Sequence, residues 1–78
     1  MKVQLIVGNN EMEFMDEDSF YDFARKYEFT NPIKIIHKQS PLINFRLGKF
    51  DHSMGKPPRR KFTKQFDLID YLTGYNSE

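Results

Sequence analysis

The stretch Ile33–Phe50, IKIIHKQSPLINFRLGKF, decides how the chain is read. In its first part Ile33, Ile35 and His37 alternate with Lys34, Ile36 and Lys38, the two-residue period of a β-strand. Ser40-Pro41 is turn chemistry. In the second part Ile43, Phe45 and Leu47 alternate with Leu42, Asn44 and Arg46, and the same rule predicts another strand running towards Phe50. If the apolar residues of both strands face the core, Lys34, Lys38, Asn44 and Arg46 share an open, basic sheet face.

Upstream, Val3, Leu5 and Val7 alternate with Lys2, Gln4 and Ile6, and Met12 and Phe14 alternate with Glu11 and Glu13. Gly8-Asn9 between them predicts a hairpin. A loop of two residues sets Leu5 opposite Met12 and Val3 opposite Phe14, and one of four sets Val7 opposite Met12. Either keeps the apolar residues on one face, whereas a three-residue loop mixes the faces and is rejected. Asp16-Glu17-Asp18-Ser19 then opens a helix, because a capping oxygen meets free N–H groups and carboxylates suit the positive end of the dipole. Phe20, Phe23, Ala24 and Tyr27 follow at helical spacing, with Asp22 and Lys26 one turn apart outside, and Asn31-Pro32 ends the element.

Downstream, residues 51–61, DHSMGKPPRRK, predict a long irregular loop, since Gly55, Pro57 and Pro58 oppose regular structure. A second helix is predicted with Thr63 as cap, Phe66, Ile69 and Leu72 as its buried stripe, and Gly74 as its end, leaving Tyr75 to Glu78 frayed. The expected fold is therefore α+β: one domain over residues 1–78 in ββαββα order, with two helices on one face of a four-stranded, mostly antiparallel sheet.

The chain of 78 residues carries no cysteine, so disulfides, thiolate zinc sites and cysteine nucleophiles are excluded. Eight Phe and four Tyr must supply much of its core. Apolar runs are too short to span a bilayer, and one lysine followed by a strand-like run is no signal peptide, so a cytoplasmic protein is expected. A single alanine beside abundant Lys, Asn, Ile, Phe and Tyr suggests AU-rich codons, as in a low-GC bacterial, phage or mobile-element genome.

The net charge of +1 conceals strong polarity. Residues 1–31 hold three cations against seven carboxylates, whereas residues 32–66 hold nine cations against Asp51 alone. The nine, Lys34, Lys38, Arg46, Lys49, Lys56, Arg59, Arg60, Lys61 and Lys64, could neutralise phosphates or meet an acidic partner, with Phe50 or Phe62 stacking on a base. Glu11, Glu13, Asp16, Glu17, Asp18 and Asp22 form an acidic edge that could grip a basic surface, although helix N-termini also collect acids for structural reasons. The Met54-Gly55-Lys56-Pro57-Pro58 segment could dock as an extended peptide.

Catalytic chemistry has no candidate. Ser19, Ser40 and Ser53 lie in no nucleophile motif, and Gly55-Lys56 is followed by prolines where a phosphate loop needs Ser or Thr. His37 and His52, fifteen positions apart, make a poor metal pair even with Asp51, so no metal or cofactor is expected. The sequence thus points to a non-enzymatic regulatory or inhibitory protein. It would be of phage or mobile-element type, engaging a host protein of transcription, replication or defence machinery. The alternative is a nucleic-acid-binding module that offers DNA or RNA the basic sheet face and the Arg59-Arg60-Lys61 loop.

Overall fold

The computed structural model describes residues 2–77. Strands β1 (Val3–Val7) and β2 (Asn10–Phe14) form the first hairpin, and helix α1 (Glu17–Lys26) follows. Then come β3 (Ile33–His37), α2 (Ile43–Ser53) and α3 (Gln65–Asn76). The sheet is antiparallel, in the order β2-β1-β3.

The hairpin takes the two-residue loop. Leu5 faces Met12 and Val3 faces Phe14, and Gly8, at φ 60°, supplies the left-handed residue that a primed turn needs. On the other side of β1, Val3, Leu5 and Val7 face His37, Ile35 and Ile33. Val3, Leu5, Ile33 and Ile35 therefore enter one core, completed by Phe20 and Ala24 of α1, Ile43 and Leu47 of α2, and Tyr71 of α3. Helix α1 begins as its acids require, with Asp16 Oδ1 accepting from the Ser19 N–H at 2.8 Å. That bond holds the Asp16 carboxyl below its ordinary range. It ends at Lys26, before Asn31-Pro32, and Tyr27 to Pro32 run on without helix.

The fourth strand does not exist. Residues 43–53 are helix, so among the described residues the order is ββαβαα, with three strands and three helices. The reason lies in the window itself. Ile43, Phe45 and Leu47 fit a period of two, but Ile43, Asn44, Leu47, Gly48 and Asp51, which the structure buries, recur at the spacing of one helix face. Buried Asn44 and Asp51 carry the helical stripe into what reads as loop, so residues 51–53 are helical too. Asn44 and Arg46 accordingly leave the sheet face on which alternation puts them, and Lys34 and Lys38 remain there.

Helices α2 and α3 pack at backbone distance. A Cβ on Gly48 would stand 2.1 Å from the Tyr71 carbonyl oxygen, and one on Gly74 would stand 1.9 Å from that of Phe45. Gly74 is thus a contact inside α3 and not its end; the helix runs to Asn76, and its N-cap is Lys64 rather than Thr63. The buried side of α3 is Tyr71 and Gly74, with Leu72 and Tyr75 half-buried. The expected stripe is turned outward at Phe66 and Ile69, because the buried side of α3 centres on Tyr71 and Gly74 instead. Tyr75 is helical and packs on the core, while Glu78 lies outside the described residues.

Candidate functional site

The segment from Met54 to Lys64 is an ordered strap across the end of α1. Gly55, at φ 72°, turns it off α2, and the Lys56 N–H donates to the Asp51 carbonyl at 3.0 Å. Lys56 Nζ donates to the carbonyls of Arg25 (2.7 Å) and Ala24 (3.3 Å). Helix ends leave such carbonyls unsatisfied, and a cation there also meets the negative end of the helix dipole. Tyr75 donates its hydroxyl to the Lys56 carbonyl. Lys61 Nζ donates to Thr30 O at 2.9 Å. At its far end the strap joins the sheet, Ile33 N–H bonding Lys61 O at 3.0 Å and Thr63 N–H bonding Ile33 O at 2.9 Å.

Arg59 anchors the centre of the strap. Its Nε donates to Asp51 Oδ2 at 2.7 Å and its Nη2 to Asp51 Oδ1 at 3.2 Å, a two-pronged grip on a carboxylate whose residue is fully buried. The same guanidinium reaches Ala24 O (2.8 Å) and Tyr27 O (3.1 Å) and lies over the Phe29 ring at 5.1 Å. Tyr71 donates to Asp51 Oδ2 at 2.6 Å and accepts from the Arg59 N–H at 3.0 Å. Burial first, and the bond to Asp51 second, push the Tyr71 hydroxyl well above its ordinary pKa.

A second polar cluster joins α1, β3 and α2. Glu17 accepts from Tyr21 Oη at 2.7 Å and pairs with Arg46 at 2.9 Å; Arg46 also donates to Ser40 Oγ at 2.9 Å. His37 completes the inward face of β3, its Nε2 at 3.7 Å from Glu17. Burial and the bond to Glu17 raise the Tyr21 pKa, and its ring stacks on Phe50 at 4.9 Å. His52 meets the Tyr75 ring edge-on, on a different element from His37. Among the described residues no cluster of three or more His, Cys, Asp or Glu could hold a metal ion, and no helix is long and apolar enough to cross a membrane.

The nine sequence-predicted cations therefore fall into separate groups. Lys56, Arg59 and Lys61 are turned onto main-chain carbonyls, and Arg46 onto Glu17. Lys34 and Lys38 stand on the outer sheet face, and Lys49 lies over the Phe45 ring of its own helix. Arg60 and Lys64 are exposed, and neither side chain makes a hydrogen bond or ion pair among the described residues. Phe62 packs on Tyr71 and is half-buried. The acidic edge divides likewise. Glu17 is in the cluster, Asp16 caps α1, Glu11 accepts from Gln4, and Glu13 lies 3.6 Å from Lys2, while Asp18 and Asp22 are exposed. No Asp22–Lys26 pair forms.

What the sequence reading missed is the outer side of α3. Phe66 is 80% exposed and Ile69, one turn on, 49%. Helical spacing places Gln65, Asp70, Thr73 and Asn76 around them, all exposed, so this side carries one charge. The exposed side of α1 is different in kind, with Asp18, Asp22, Arg25 and Lys26. The signal was available, because α3 is apolar on more than one side, but periodicity alone assigned the wrong side to the core. Compared with protein-family models, curated proteins and solved structures, the chain matches none.

Proposed function

We propose that this chain is a non-enzymatic regulatory or inhibitory protein that docks on another protein through the outer side of α3. The observation that carries the reading is Phe66, left 80% exposed with Ile69 beside it on a helix side almost free of charge. Interface centres are depleted in charge and anchored by aromatic residues, whereas an ordinary solvent-facing helix side is charged. The partner that fits is a protein presenting an apolar groove to a short helix. Its class, a component of host transcription, replication or defence machinery, is suggested by the Lys-, Asn-, Ile-, Phe- and Tyr-rich composition alone. Nucleic acid fits this surface less well, since it offers no cation and the strap turns most of its own inward.

The test is affinity capture from host lysate with the wild type and a Phe66→Ser/Ile69→Ser variant, with thermal unfolding of both. A protein retained in equimolar amount by the wild type and lost by the variant, at unchanged unfolding temperature, supports the proposal. It is overturned by three outcomes: no stoichiometric protein, retention indifferent to both substitutions, or recovery of DNA or RNA that Lys38→Gln, Arg60→Gln and Lys64→Gln abolish.

A further inference from the structure

A cavity of about 220 Å³ opens between the strap and the chain that leaves α1, walled by Phe29, Ile33, Lys56, Arg59, Arg60 and Lys61. Glu28 is its only acidic lining residue, and Asp51 stands behind Arg59. Four cations thus share the site with two carboxylates. The carbonyls that Lys56, Arg59 and Lys61 touch satisfy donors without cancelling formal charge, so the site keeps an excess of two positive charges. The negative end of the α1 dipole offsets part of that excess, and Arg25 and Lys26 stand in the same last turn.

We infer that this cavity is a binding site for a phosphoryl group. Donors remain to meet one. Lys56 commits two of its three ammonium protons to Ala24 and Arg25 and Lys61 one to Thr30, while the Arg60 guanidinium is uncommitted among the described residues. A phosphate dianion matches the charge excess and offers several oxygens to donors arriving from different directions, which suits Arg and Lys together. The cavity is smaller than the roughly 300–1,000 Å³ of sites for drug-sized molecules, and it has room for a phosphoryl group. Pro57 and Pro58 stiffen its wall. Arg59, held by Asp51, positions the wall and is not the residue that yields to the ligand.

The experiment is a titration of the full chain with inorganic phosphate at constant ionic strength, followed by amide chemical shifts, with chloride as the control. Saturable shifts confined to Phe29, Arg59, Arg60 and Lys61 are expected. Arg60→Gln should weaken binding about tenfold, as should Lys61→Gln, while Lys49→Gln, on α2, changes nothing. Arg60→Gln decides the matter if Lys61→Gln lowers the unfolding temperature. A second arm uses a single-stranded oligonucleotide. The inference is overturned if the oligonucleotide binds where phosphate alone does not. It is also overturned if shifts rise without saturating, match those of chloride, or spread equally over Lys34, Lys38 and Lys49.

Discussion

Asp51 shows how much one side chain holds in place. Its carboxylate, fully buried at the end of α2, meets Arg59 of the strap and Tyr71 of α3. Removing one partner of a buried pair strands the other, which costs about 3–5 kcal/mol. Asp51→Ala should therefore lower the unfolding free energy by that order in urea titration. Tyr71→Phe, which removes one hydroxyl, should cost about 1–3 kcal/mol, and the double variant should lose less than the sum. The tyrosines add a pH dependence. Tyr71 and Tyr21 ionise well above the ordinary value of about 10 in the folded chain, so each holds its proton more tightly folded than unfolded. Stability from these groups is full below about pH 10 and falls as pH climbs towards the folded values. Urea midpoints measured from pH 8 to 12 should drop at the alkaline end, and Tyr71→Phe should flatten the drop. In the sequence Asp51 stands out only as the lone acid among nine cations. No spacing rule couples it to a tyrosine twenty positions away.

At the scale of elements the test lies where α2 crosses α3. Helix propensity makes Gly→Ala favourable by about 1 kcal/mol in a helix interior. Packing says the opposite at Gly48 and Gly74, where a new Cβ would meet backbone oxygens at 2.1 and 1.9 Å. Each alanine substitution should destabilise by about 1–3 kcal/mol or more as the helices are forced apart, seen in denaturant midpoints with helicity otherwise retained. Gly55→Ala meets open space and should lose only about 1–2 kcal/mol, from its left-handed backbone. The hairpin and α1 were legible because turn, cap and alternation agree there. The 43–53 segment was not, since the short run from Ile43 to Leu47 satisfies both periods and the deciding fact, two glycines at a helix crossing, is long-range. The outer side of α3 was misread for the same reason.

Across the whole molecule the charge polarity of the sequence is largely spent on holding the fold. The basic half of the chain supplies the strap that covers the α1 terminus and extends the sheet at Ile33. The acidic half supplies the carbonyls that receive it, and Asp51, the one acid of the basic half, supplies the carboxylate. Charge runs along a sequence say which residues are polar, but the helix end that accepts them is set only by the tertiary path. The proposed docking falls to a helix side whose one charge is Asp70, and the proposed anion binding to the few donors the strap does not use. Arg59 and Arg60 bring that division down to neighbouring residues. The deciding measurement is the urea unfolding free energy of Arg59→Ala beside that of Arg60→Ala. The first should lose about 3–5 kcal/mol and the second stay within about 0.5 kcal/mol of the wild type; equal losses, or none from Arg59→Ala, would contradict a structural strap.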